Sequence, residues 1–374
     1  MSYLTAHQPV MSELNQRQLD KKWMTVALDL ARSAPATVSP NPGVGAVIVH
    51  GNTAIGTGAT QVDGGPHAEI LALREVPDSQ AHLLPASTLY VSLEPCSIYG
   101  RTPPCVHAIV ESGIKRVVVG CLDFTPGVCG QGLEYLRHHG IEVLLGVEQQ
   151  RALFEHRHRH VFVRKQRPYI TLKQARSRDN IVGVSTRQLR ITGDEANTES
   201  HRWRASHDAI LIGIGTALSD DPALSVRHIQ GKQPLRILLD PSGRAPRTIQ
   251  LFQDGLPTLY VVGEAAEIPA LPAPVELLRA PATDLIQTTL DELYRRRVGR
   301  LLVEGGPTTT SRFLAADAFD ELREWVAPHL FASEPQAVAA TDFSHLEPTC
   351  IGTFGQDQLF VGYRKDEIWS LKSS

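Results

Sequence analysis

Apolar positions along this chain alternate between helical and strand periodicity, and the changes of period mark out its elements. From Asp20 to Ala34, residues Trp23, Ala27, Leu30 and Ala31 fall on one helical face, and Pro35, Pro40 and Pro42 end the helix. The polar residues before it, 1–18, read as a flexible extension. Val44–Val49 predicts a strand, His50-Gly51-Asn52-Thr53 a tight turn and Ala54–Gly58 the return strand. Pro66 precedes His67, so a helix is expected to open there and run to about Arg74. Thr88–Leu93 is a buried strand leading into Pro95-Cys96, and Pro103-Pro104 opens a helix carrying Cys105. A strand at Arg116–Gly120, a helix at Gln131–His139 and a strand at Ile141–Leu145 complete the alternation of a three-layer α/β/α domain over residues 19–165.

The stretch Arg151–Arg167 is strongly basic, and its His156, His158 and His160 read as one solvated helix or linker face. Arg167-Pro168 marks a domain boundary, so residues 166–374 form a second α/β domain. Its strands are expected at Tyr169–Lys173, Ala209–Ile214, Leu235–Leu239, Thr258–Val262, Arg300–Val303 and Glu324–Leu330, with helices near Asp194–Ala205 and Asp284–Arg297. Two strand ends there carry glycine turns, Gly213-Ile214-Gly215-Thr216 and Glu304-Gly305-Gly306-Pro307-Thr308. Neither is a complete nucleotide fingerprint, so each is read equally as a tight turn or a phosphate cradle. Asp220-Asp221-Pro222 likewise suits a carboxylate pair or a helix cap.

Composition narrows the function classes. At 374 residues there is room for two cores, and 42% hydrophobic with 21% charged residues is an ordinary globular balance. A net charge of −3 gives no support for a nucleic-acid surface, and no apolar run reaches the roughly 20 residues that cross a bilayer. Five cysteines without regular spacing suit a reducing cytoplasm better than a disulfide framework.

The sharpest chemical signal runs from His67 to Cys105. His67-Ala68-Glu69 is followed at a distance by Pro95-Cys96 and, after eight more residues, by Cys105. One imidazole and two thiolates suit Zn²⁺ and leave the fourth tetrahedral position to water. Glu69, two residues past the histidine, is placed to shuttle protons to and from that water. This order is the signature of zinc nucleobase deaminases, although their cysteines are usually two residues apart. The alternative, a closed structural site, needs a fourth protein ligand, and His107 lies too near Cys105 along the chain to supply it comfortably.

Several longer segments carry a resemblance. Asn41-Pro42-Gly43-Val44-Gly45, Pro66-His67-Ala68-Glu69 and Glu94-Pro95-Cys96-Ser97-Ile98-Tyr99-Gly100-Arg101-Thr102-Pro103-Pro104-Cys105 resemble the bifunctional riboflavin-biosynthesis deaminase–reductases, whose own cysteine spacing has the eight-residue gap. Asp208–Gly213, Asp220–Arg227 and Glu304-Gly305-Gly306 are similar to the reductase half of that family. The resemblance spans about residues 20 to 330. It implies a cytidine-deaminase-like domain followed by a dihydrofolate-reductase-like domain. It implies zinc-dependent removal of the 2-amino group of 2,5-diamino-6-(5-phosphoribosylamino)pyrimidin-4-one, with Glu69 relaying protons, then NADPH-dependent reduction of the ribosyl group to ribityl. Arg176, Thr216, Asp220, Gly306, Pro307 and Thr308 would then contact NADPH. Lys173, Arg204, Leu224, Arg227 and Glu304 would contact the phosphorylated substrate. A cytoplasmic homo-oligomer with a small-molecule substrate, and neither nucleic acid nor membrane as partner, is expected.

Some positions depart from the family pattern. Thr60 and Ile98 stand where histidines are usual, Asp123-Phe124-Thr125-Pro126 replaces an Asp-Pro-Asn-Pro loop, and Ser177-Arg178-Asp179-Asn180 and Arg190 alter the reductase half. These changes keep open a paralogue acting on another aminated heterocycle, or a non-catalytic protein that retains zinc.

Overall fold

The computed structural model describes residues 8–184 and 189–364, with side chains from Leu14 onward. Tertiary contacts divide the chain into two compact units that meet between Lys165 and Gln166. In the first, helix α1 (Gln8–Arg32) precedes strands β1 (Gly45–His50) and β2 (Thr53–Ala59), joined through Gly51 in the left-handed region at φ 61°. Then follow α2 (Ala68–Glu75), β3 (Thr88–Leu93), α3 (Cys105–Glu111), β4 (Arg116–Cys121), α4 (Gln131–His138), β5 (Glu142–Leu145), α5 (Gln149–Glu155) and α6 (Arg157–Lys165). The sheet order is β2-β1-β3-β4-β5, antiparallel at β2-β1-β3 and parallel from β3 to β5.

Strand alternation sorts its core into two layers. Ala46, Ile48, Leu89, Val91, Val117 and Val119 face α2, α3 and α4, while Val47, Val49, Tyr90 and Val118 face α1 and α5. That is the expected three-layer arrangement. Two sequence expectations change. Helix α1 begins at Gln8, not Asp20, because residues 10–19 are mostly good helix formers with no breaker among them; residues 1–7 lie outside the described residues. His156 and His160 are 1% and 0% exposed, not solvated. Ala152 and Leu153 of α5 pack in the core with sheet residues, Val161 and Phe162 of α6 are themselves buried, and the two imidazoles lie inward with them. His156 Nε2 lies 3.1 Å from Ser92 Oγ, and burial pushes its pKa down to about 4.

The second unit contains β6 (Tyr169–Ser177), β7 (Ile181–Val184), α7 (Asp194–Ser206), β8 (Ala209–Gly213), α8 (Ile214–Asp220), β9 (Leu235–Asp240), α9 (Gln250–Gln253) and β10 (Thr258–Gly263). It continues with β11 (Val275–Ala280), α10 (Leu285–Arg295), β12 (Arg300–Val303), α11 (Pro307–Ala315), β13 (Glu321–Ala327), β14 (Ala337–Ala339), β15 (Thr349–Phe354) and β16 (Asp357–Tyr363). Nine strands run in the order β11-β10-β9-β8-β12-β6-β13-β16-β15, parallel from β11 to β13, with an antiparallel hairpin at the end. Strand β13 starts three residues before the expected Glu324 and stops before Pro328, which has no N–H to give a ladder. Helix α8 starts directly from the end of β8 and α11 follows β12 after the turn Glu304-Gly305-Gly306, β8 and β12 being neighbouring central strands. Among the described residues no helix is long and apolar enough to cross a membrane.

Candidate active sites

Two helix N-termini build the first site. His67 is the N-cap of α2 and Cys105 the first residue of α3, while Cys96 follows the end of β3. Their donor atoms lie within 4.8 Å of one another, the one such group of three among the described residues. His67 Nδ1 is 3.2 Å from Cys105 Sγ and 3.5 Å from Cys96 Sγ. Tetrahedral zinc, with bonds of about 2.0–2.1 Å to nitrogen and about 2.3 Å to sulfur, would set N and S about 3.5 Å apart. The donor set therefore fits the ion in both softness and spacing. Cys96 Sγ also accepts the Cys105 N–H at 3.3 Å, so the start of α3 favours a thiolate there. A hydrogen bond from the Cys105 thiol, outweighing burial, lowers the Cys96 pKa to about 4. The same hydrogen bond and burial raise that of Cys105.

Glu69 lies in the first turn of α2 and is 3% exposed. Burial, reinforced by the Cys96 charge, raises its carboxyl to about 7. At the site's rim Asp63 accepts from Asn41 Nδ2 at 2.6 Å and from Arg101 Nη1 at 2.9 Å. Of the departures, Thr60 is buried with Oγ1 3.1 Å from the Val44 N–H, and Ile98, like its neighbour Tyr99, is exposed. Thr125 donates to Asp123 Oδ1 at 2.6 Å and accepts from Arg159 Nη2 at 2.8 Å.

The second site is a cavity of about 1420 Å³ at the ends of the central strands. Lys173, Thr216, Asp220, Glu304, Gly306, Pro307 and Thr308 all line it. Both glycine turns open into it, and both are tightly packed. A Cβ on Gly213 would meet Thr309 Oγ1 at 2.2 Å, and one on Gly305 the Thr309 Cβ at 2.5 Å. Gly306 N–H donates to Thr216 Oγ1 at 2.9 Å and ties the two helix starts together. Such paired N-termini, with backbone able to approach closely, suit the pyrophosphate of a dinucleotide. The residues present therefore fit NADPH.

At one end of this cavity Glu304 is clamped by two cations. Arg204 Nε and Nη2 donate to its two oxygens at 2.8 and 2.9 Å, and Lys173 Nζ is 3.8 Å away. Burial pushes the Glu304 carboxyl up, but the two cations outweigh it and bring the pKa down to about 2. Burial lowers the Lys173 ammonium, against the pull of Glu304. A depressed carboxyl stabilises the fold above its unfolded pKa, about 4.5, and that contribution is lost as pH falls toward 2. The stability gap between the protein and Glu304→Gln is thus expected to be constant above pH 5 and to shrink below 4.5. Denaturant melts of the reductase transition across that range check this, and a constant gap at all pH values would contradict it.

Other expected residues fall outside the cavity lining. Arg176 pairs with Glu324 at 3.0 Å, Leu224 is 2% exposed within the core, and the Arg227 N–H donates to His201 Nδ1 at 3.3 Å. Asp221 acts as a turn residue: it caps α8 in the left-handed region, and its Oδ1 accepts the Gln250 N–H at 2.8 Å. Sequence reasoning missed Arg244 and Arg312, which line the cavity, and Thr309, whose packing between two glycines is invisible along the chain. It also left Glu94 without a role. Arg244 had one signal, the Pro241-Ser242-Gly243-Arg244 turn closing β9.

Comparison with known proteins agrees with both halves. Residues 17–121 match the cytidine and deoxycytidylate deaminase zinc-binding region, and residues 168–360 match the RibD C-terminal domain. The riboflavin biosynthesis protein RibD of Aquifex aeolicus is 38% identical, covering 84% of this chain and 88% of that protein. Its Bacillus amyloliquefaciens counterpart is 34% identical over 93% and 97%. The crystal structure of a diaminohydroxyphosphoribosylaminopyrimidine deaminase/5-amino-6-(5-phosphoribosylamino)uracil reductase from Thermotoga maritima has a TM-score of 0.81 at 31% identity, covering 93% of this chain and 99% of that one.

Proposed function

The chain belongs to the RibD family of bifunctional riboflavin-biosynthesis enzymes, a deaminase joined to a pyrimidine reductase, and from that premise we propose how its residues divide the work. His67, Cys96 and Cys105 would hold zinc, which when bound would supply a Lewis acid able to acidify water toward neutral pH. Glu69 is the group that would hold a proton at its carboxylate and pass it to the departing 2-amino group of the phosphoribosylaminopyrimidine. Burial, with the Cys96 charge beside it, raises its carboxyl above the usual carboxylate range. The observation that carries this reading is the three-donor group with a buried carboxylate at its side.

NADPH, when bound in the second site, supplies the hydride that reduces the ribosyl group. Thr216, Asp220, Gly306, Pro307 and Thr308, which line that cavity, would face its phosphates. Lys173 is the candidate to give a proton to the sugar oxygen, and Glu304 orients it. Arg204, held by the lining residue Glu304, would supply charge for the substrate phosphate. Arg227, Leu224 and Arg176 lie outside the cavity lining, and no contact with the substrate is assigned to them. The form we propose is a cytoplasmic homo-oligomer. Incubation with the diaminopyrimidine phosphoriboside and zinc tests the reading: ammonia release followed by NADPH oxidation supports it. Ammonia from another heterocycle only would favour a paralogue instead.

Cofactor choice depends on the end of β9. Asp240 would be the acid to bond an adenosine ribose, but it is 0% exposed and its Oδ2 accepts the Ala245 N–H at 2.8 Å and the Tyr260 hydroxyl at 2.7 Å. Arg244 on the turn it braces faces the cavity instead, the arrangement that suits a 2′-phosphate. Arg244→Ala is expected to weaken NADP⁺ binding by about 10- to 100-fold, the worth of one charge-assisted contact. NAD⁺ binding should be unchanged. Calorimetric titration of both nucleotides measures this, and equal loss for the two would exclude the assignment.

A further inference from the structure

Resting on the zinc reading above, we infer that Glu94 is a positioning residue, a buried carboxylate that holds the Cys96 backbone in the place where its sulfur can share an ion with His67 and Cys105. Glu94 is 4% exposed, and among the described residues no lysine, arginine or histidine forms an ion pair with it. It is occupied by backbone instead: Oε2 accepts the N–H groups of Asp123 at 3.2 Å and Gly130 at 3.0 Å, and Oε1 accepts that of Gly132 at 3.0 Å. Two of these donors belong to the start of α4, where partial positive charge favours a carboxylate. The helix is drawn so close that a Cβ on Gly132 would lie 2.2 Å from the Pro95 carbonyl oxygen.

The peptide just before Cys96 is therefore fixed from one side by α4. From the other side α3 fixes Cys96 itself, through the Cys105 N–H on its sulfur and the Val106 N–H on its carbonyl at 3.3 Å. The α3 contacts act on the sulfur and carbonyl of Cys96, and the α4 contacts on the peptide that leads into it. A glutamine at position 94 places an NH₂ where an oxygen now accepts, so at least one N–H of the three meets a donor. Outer contacts of this kind are worth about 10- to 100-fold in metal affinity.

The test uses the full-length protein loaded with Co²⁺, read by its thiolate-to-cobalt absorption and by competition for Zn²⁺. Glu94→Gln is expected to weaken zinc by 10-fold or more, change the cobalt band, and lower kcat for ammonia release with KM within twofold. Gly132→Ala is the second variant and should act in the same direction. Alanine is the better helix former by about 1 kcal/mol, so loss of helix stability would not be its cause. If Glu94→Gln does not fold, Gly132→Ala decides. A lower melting temperature with unaltered cobalt spectrum and zinc affinity overturns the inference and leaves the zinc assignment standing. If the unsubstituted protein gives no thiolate–cobalt band, the zinc assignment falls and this inference with it.

Discussion

Glu69→Gln is expected to lower the rate of ammonia release by about 10²- to 10⁴-fold, the range that a positioned general acid–base supplies. The amide keeps the volume of the side chain in its 3% exposed pocket but can neither take nor return a proton. Since Glu69 lies beside the three donors and is not one of them, zinc content should stay at one per chain. NADP⁺ binding, which belongs to the other unit, should be unaltered. Ammonia release within tenfold of the unsubstituted protein would mean that the proton moves by another route.

The second large effect is expected at Glu304. Removing it as Glu304→Ala leaves the Arg204 guanidinium and Lys173 ammonium together, only 13% and 18% exposed, with no carboxylate between them. Breaking a buried ion pair from one side costs about 3–5 kcal/mol, and the partial exposure of the cations places the loss toward the lower figure. Calorimetry should show the reductase transition at lower temperature and the deaminase transition unmoved. NADPH oxidation should fall by about 10² or more, as for loss of a preorganised electrostatic contact. Restoration of oxidation by Glu304→Gln would show that shape, not charge, is what the site requires.

Much of this was legible in the sequence, for physical reasons that differ from element to element. Strand β3 matched to the residue because Leu89, Tyr90, Val91 and Leu93 form an apolar run leading into Pro95-Cys96, and Pro104 marked the start of α3. The zinc triad was readable because ligand chemistry restricts residue type, so a His, two Cys and a Glu in order carry meaning over a long gap. Strand β11 was not readable, since as an exposed edge it alternates poorly. The hairpin β15–β16 was missed beyond the reach of the resemblance, although Gly355, at φ 61°, marks its turn. Glu94 was visible only as part of a motif, because its three partners are backbone N–H groups, which carry no side-chain signature. The buried His156 and His160 were misjudged because neighbouring arginines dominate the local pattern, while the residues that dock their helices are few.

Zinc-edge X-ray absorption on the purified protein measures the arrangement on which the deaminase half depends. One zinc per chain is predicted, with two sulfurs at about 2.3 Å, one imidazole nitrogen at about 2.0 Å and one further light atom that exchanges with solvent. A shell of four protein donors, or no zinc bound by His67, Cys96 and Cys105, would contradict it.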